Sequence, residues 1–218
     1  MDKQLSALYR LGGLTGILSG FLMLVSSIWF IFGLSSIVSF PSADQFGKIG
    51  IFHGIGVVTL ILLVPTLLAS YGLLSSEAHT RSALGASIAV LWLVMELVAH
   101  CSQTAPINEL SKLVGEAAPT QIGESFYILW SEWGESLFMT GAFLCALLAL
   151  FYGSALHAWG NPIAGYLFFI SIIAFPIGIF LKYRGYLHYG IELHVLIRGL
   201  AFLFLGGVLI QAPHDEDV

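Results

Sequence analysis

Charge is what this sequence has least of. Only 10% of its 218 residues are Asp, Glu, Lys or Arg, against roughly 25% in a soluble domain. A soluble fold of this size could not cover its surface with so few charges. The basic residues are scattered rather than clustered, and the net charge is −5. That excludes nucleic acid as a partner, because phosphates must be neutralised by basic groups. Cysteine is scarce as well. Cys101 and Cys145 stand apart, with neither a CxxC nor a CxxCH spacing, so they read as two unpaired thiols. No GxSxG, HExxH or Walker sequence occurs, and no Ser–His nucleophile pair can be assigned.

Long apolar runs fill the space that charge leaves, and the hydrophobic fraction is 57%. Such composition belongs to the membrane class. The runs predict about six spans: Leu11–Leu34, Ile49–Leu74, Ala83–His100, Tyr127–Ala155, Pro162–Leu181 and Tyr186–Ile210. Each is near the roughly 20 residues that cross the hydrocarbon core, or longer and able to tilt. Backbone groups in lipid need internal partners, so the spans are expected as α-helices. The runs are continuously apolar and lack the alternation of barrel strands. The fold class expected is all-α, a polytopic transmembrane helix bundle in a single domain over residues 1–218.

The first run follows Lys3 and Arg10. It exceeds the roughly 7–15 residues of a signal h-region, so it is expected to be a retained helix. Pro41, Ser42 and Asp44 supply turn chemistry after it, and Ser75–Ser82 reads as a short polar connection. Trp159, Gly160, Asn161 and Pro162 predict a tight turn, with Pro162 at a helix start. Pro65 and Pro176 fall inside spans, where they kink rather than end a helix. In the longest loop, Ile107, Leu110, Leu113 and Val114 share one helical face while Glu109, Lys112 and Glu116 lie elsewhere. That predicts an interfacial amphipathic helix at 106–117.

Six spans place both termini on one side of the lipid bilayer. Lys3, Arg10 and Arg81 lie on that terminal side, and Lys48, Lys112, Lys182 and Arg184 lie opposite. The two sides nearly balance, and the flanks of the first span favour termini in the cytoplasm.

Following each span in its own direction gathers the polar groups at the opposite end. His53 begins the second span, Glu96 and His100 end the third, and Glu132 and Glu135 begin the fourth. His188, Glu192, His194 and Arg198 begin the sixth. Glu96 and His100 are i, i+4 and share a helix face, as Glu132 and Glu135 do at i, i+3. Carboxylates facing a Glu/His pair on a neighbouring helix form a plausible metal-ligand set, so the metal candidates are His53, Glu96, His100, Glu132 and Glu135. Arg198, Glu192, His188, His194 and Trp133 are the candidates for contacting a small polar or amphiphilic ligand.

A plainer reading stands beside each of these. Acidic residues in a first helical turn favour the helix dipole and can reach interfacial water. Glu96 and His100, in a last turn, could sit among headgroups. Arg198 needs a carboxylate partner from Glu96, Glu132, Glu135 or Glu192 unless its helix starts near Ile191 and it snorkels. A less favoured cofactor is haem, held by His53 and His100 across adjacent helices. Gly12, Gly13, Gly16 and Gly20 make small-xxx-small spacing. That spacing reads as close packing, either in the bundle or with other membrane subunits or a second copy.

The run Arg10-Leu11-Gly12-Gly13-Leu14, followed by Gly-punctuated apolar spans, resembles the bacterial membrane family catalogued as domain of unknown function 4386. The resemblance covers the layout of most of the chain and implies a multi-spanning protein of the bacterial cytoplasmic membrane. It implies no activity and assigns no residue. Three functions therefore stand open: a ligand- or metal-binding bundle, an accessory subunit of a larger membrane complex, and a haem- or quinone-linked redox protein.

Overall fold

The computed structural model describes residues 3–34, 41–115, 121–186 and 191–212. Among them every regular element is helical: α1 (Lys3–Trp29) with a π-helical turn at Phe30–Leu34, α2 (Ala43–Thr104), α3 (Ile107–Gly115), α4 (Gln121–Ala158), α5 (Pro162–Tyr183) and α6 (Glu192–Gln211). Among the described residues, five helices are long and apolar enough to cross a membrane. Their outer surfaces carry large apolar side chains, such as Leu14, Ile61, Leu91, Leu150, Ile173 and Phe204. A helix that is apolar on its exposed side as well as its buried side belongs in lipid.

The apolar runs at 49–74 and 83–100, expected as two helices with a polar loop between them, fall within α2. Its 62 residues are helical apart from Ala78, which has φ −140° and ψ 51°. Ser75–Ser82 is thus not a loop. The chain nonetheless doubles back there. The imidazoles of His53 and His100, 47 residues apart, approach to 3.0 Å between their Nδ1 atoms. An unbroken helix would hold them about 70 Å apart. The break divides α2 into a first leg, 43–77, and a second leg, 79–104.

Local chemistry explains the other ends. Ser42 caps α2 in a reciprocal box with Gln45. Gly160 takes a positive φ of 94°, Asn161 accepts from the Ala164 N–H, and Pro162 opens α5, as the tight turn required. Pro65 and Pro176 both sit inside continuous helices. The sixth helix starts at Glu192, later than the Tyr186 its apolar run indicated.

α1 packs on α6 and on the first leg of α2, the second leg packs on α4, and α5 bridges α4 and α6, closing a ring. The glycines of α1 are used inside this ring. A Cβ on Gly13 would meet the Gly206 backbone, one on Gly20 would meet Gly199, and one on Gly12 would meet Pro65 and Ala69. They therefore pack against the chain's own helices.

At the ring's centre Trp92 stacks on Phe202 at 5.7 Å and 8°, and Phe168 sets its edge on Phe202 at 5.5 Å. Tyr152, fully buried, donates to the Leu67 carbonyl at 3.3 Å. At one end α3 lies over the bundle as an amphipathic helix. Ile107 and Leu110 are buried against Phe46 and Trp130, while Glu109 and Lys112 are exposed and paired at 2.8 Å. The side chains of Leu113 and Val114, and all of Glu116, lie outside the described residues.

Candidate functional site

The second leg of α2 carries the site. Glu96, His100 and Gln103 follow one another at four- and three-residue spacing, so they share a face. All three are buried. Each is received by a glycine on a facing helix. A Cβ added to Gly141 of α4 would crowd the Glu96 side chain, one on Gly56 would overlap the His100 imidazole, and one on Gly134 would overlap the Gln103 amide. The missing side chains let polar groups lie flat against neighbouring backbones in a place that lipid would otherwise force to be apolar.

Glu96 and Arg198 form a bidentate pair. Arg198 Nη1 donates to Oε1 at 2.5 Å and Nη2 donates to Oε2 at 3.1 Å. Each residue is only 4% exposed, so this is an ion pair taken fully out of water and not a rim contact. Trp92, one turn before Glu96, serves both partners. Its indole N–H donates to Oε1 at 2.7 Å, and its ring lies 5.0 Å from the guanidinium carbon. Arg198 is six residues into α6, about 9 Å along the axis. The late helix start would permit snorkelling, but Arg198 instead turns inward. Of the four acids available to it in the sequence, Glu96 forms the ion pair with Arg198, while Glu135 pairs with Lys182.

His53 and His100 share one hydrogen bond through their Nδ1 atoms. His53 stacks on Phe138 at 5.7 Å and 13°, and His100 sets its edge on the same ring at 4.9 Å. A neutral imidazole donates from one nitrogen and accepts at the other. In a neutral pair joined Nδ1 to Nδ1, one histidine therefore has a bare Nε2 and the other an Nε2–H. The pair offers one acceptor and one donor, and no hydrogen bond to either Nε2 is present among the described residues.

These groups border a cavity of about 150 Å³ between α1, α2, α4 and α6. Its polar wall is Glu96, His53, His100, Gln103, Arg198, Glu192 and Glu135, with Ser26, Ser27 and Thr59. Its apolar wall includes Met23, Phe30, Phe52, Leu60, Phe138, Tyr127 and Trp130. The Arg198 Nε and the Ser26 hydroxyl, on residues of this lining, are buried with no hydrogen-bond partner among the described residues.

No family model, no curated protein and no solved structure matches the chain. The site is therefore argued from its own geometry.

That geometry corrects several expectations. The metal set does not converge, and among the described residues no group of three or more His, Cys, Asp or Glu is placed to hold an ion. Glu96 is engaged by Arg198 and Trp92. Glu132 is exposed, and Glu135, three residues on, pairs with Lys182 of α5 instead of joining it. His53 and His100 remain, and they contact each other. Their 3.0 Å separation is also too short for a haem iron between them, which needs two metal–nitrogen bonds of about 2 Å each. Trp133 is 58% exposed and lies outside the cavity lining. His194 is buried but faces α5, where its Nδ1–H donates to the Ser171 carbonyl at 2.8 Å. His188 lies outside the described residues. Arg198 and Glu192 do line the cavity.

Five contributors were not singled out from the sequence: Trp92, Gln103, Gly56, Gly134 and Gly141. Trp92 had a signal, since an indole four residues before an intramembrane carboxylate can donate to it. Gln103 continues the Glu96–His100 face by one turn. The glycines had none, because their role depends on which helix faces them.

Proposed function

We propose that the protein is an integral membrane protein of six crossings whose cavity binds a small amphiphilic ligand, the polar part toward Arg198 and the histidines and the apolar part among the aromatic side chains. The observation that carries this reading is the cavity of about 150 Å³ whose lining sets Glu96, Arg198 and the His53–His100 pair beside Phe30, Phe52, Phe138, Tyr127 and Trp130. The mixed lining supports it, since ligand pockets are mostly apolar with a few placed polar groups. The site reads as a blind pocket and not a path through the bundle, because the Trp92–Phe202 stack and Tyr152 pack the bundle centre beyond Glu96.

Six crossings follow if each leg of α2 spans the bilayer. An unbroken helix of 62 residues would be about 93 Å long, three times the roughly 30 Å hydrocarbon thickness. On this reading His79, beside the Ala78 break, shares a side with both termini, and Lys112 lies on the other. Single-cysteine probes at His79 and Lys112, in a background lacking Cys101 and Cys145, are expected to react with an impermeant maleimide from opposite sides of oriented vesicles. Labelling from the same side would contradict six crossings.

The ligand itself is tested by mass spectrometry of the purified protein. Wild-type protein is expected to retain a small non-lipid molecule through detergent exchange and release it on denaturation. Ala142→Phe and Ser26→Leu, two substitutions that fill the cavity, are expected to release none. If folded wild-type protein also carries none, the reading is wrong. The accessory-subunit alternative rests on the paucity of catalytic motifs and on the α1 glycines, and those glycines pack within the chain.

A further inference from the structure

Hydrogen-bond donors on the cavity wall are mostly spent inside the protein. The Ser27 and Thr59 hydroxyls donate to the Met23 and Ile55 carbonyls of their own helices, and Ser131 donates to the Ile128 carbonyl. Hydroxyls on helices often turn back to the preceding turn in this way. The Trp130 indole donates to the Ser102 carbonyl, and the Gln103 amide donates to the Trp130 carbonyl. Two guanidinium nitrogens of Arg198 donate to Glu96.

The polar atoms left open to the cavity are of the other kind. His53, His100 and Gln103 line it, and their two imidazole Nε2 atoms and the Gln103 Oε1 take no hydrogen bond among the described residues. The Arg198 Nε and the Ser26 hydroxyl are fully buried, but none of these three atoms is. Charging an imidazole in a buried site is costly, so the pair is neutral and one of its Nε2 atoms is bare. The shared Nδ1–Nδ1 bond lets either histidine be the one that carries it. Gln103, one turn after His100, sets its Oε1 on the same helix face. A ligand group that only accepts would leave both of these acceptors unmet in a buried site, which is expensive. Within the pocket reading, on which this rests, we infer that the ligand's polar group is a hydrogen-bond donor, a hydroxyl or an N–H, that donates to the bare Nε2 of the His53–His100 pair.

Two isomers test this inference: benzyl alcohol, whose hydroxyl donates, and anisole, whose oxygen only accepts. A cavity of about 150 Å³ is of the order that admits one ring of this size. Each is titrated into the full-length protein in zwitterionic nanodiscs and followed by ligand-observed NMR, with Ala142→Phe as the reference for partition into lipid. Benzyl alcohol is expected to bind at least ten-fold more tightly than anisole, and to lose that binding in Ala142→Phe. A preference under ten-fold overturns the donor requirement. Binding that persists in Ala142→Phe, or no binding by either isomer, overturns the inference as a whole. The histidines are read in the wild-type protein, by nitrogen NMR after histidine labelling. Benzyl alcohol is expected to shift the resonance of the bare Nε2 and anisole to leave it in place. A resonance that stays put with benzyl alcohol bound, or moves equally with anisole, overturns the histidine pair as the acceptor, whether or not the variant folds. None of these results decides whether wild-type protein retains a molecule of its own, so the pocket reading fails separately, on the extraction experiment.

Discussion

Replacing Glu96 by leucine is expected to destabilise the protein by about 3–5 kcal/mol, the usual effect of stripping one partner from a buried ion pair. Arg198 would be left charged, 4% exposed and without the Glu96 carboxylate, because a guanidinium does not shed its proton in a protein. Arg198→Met is expected to be milder. The stranded Glu96 can take up a proton, become neutral and keep its bond from the Trp92 indole. The double substitution Glu96→Leu/Arg198→Met removes both charges together. It is expected to recover most of the loss, since apolar replacements of buried pairs are often neutral or better. Thermal unfolding of the four proteins in one detergent gives the cycle directly. A double variant as unstable as Glu96→Leu would show that the pair is not the unit holding α2 to α6.

The second large effect is expected at Gly206. A Cβ there would stand 2.6 Å from both the Gly13 carbonyl oxygen and the Ile17 nitrogen. Those are backbone atoms and cannot rotate away, so Gly206→Leu must push α1 and α6 apart. The loss is expected at about 1–3 kcal/mol or more, with the melting temperature falling accordingly. Gly207, next in the chain, has nothing within 4 Å of its added Cβ. Gly207→Leu is expected to stay within about 0.5 kcal/mol of the wild type. Equal effects at the two positions would contradict close backbone contact as the role of Gly206.

These variants mark the boundary between what was legible in the chain and what was not. The α1 glycines were legible as packing residues from their spacing, but their partners were not, and Gly206 and Gly207 cannot be told apart without knowing which one faces α1. Similarly, Glu132 and Glu135 at i, i+3 looked like a facing pair. A separation of three residues turns a helix by about 300°, which was enough to leave Glu132 outside while Glu135 met Lys182. The polar stretch Ser75–Ser82 signalled the turn between the two runs, but not that a single residue, Ala78, would make it while the chain stays helical on either side.

The sequence alone determined that this is a bundle of apolar helices with its acids, histidines and Arg198 gathered at one end. Both conclusions rest on one-dimensional quantities. The cost of burying backbone groups in lipid sets helix length, and alternating direction sets which end a residue reaches. Only the tertiary structure decided which of those polar groups meet. Glu96 and Arg198 are 102 residues apart, and four acids could have answered the same arginine. The choice depends on how each helix is rotated about its own axis. That rotation is set by where glycines let neighbouring helices and side chains close in, a property of the packed bundle and of no single span.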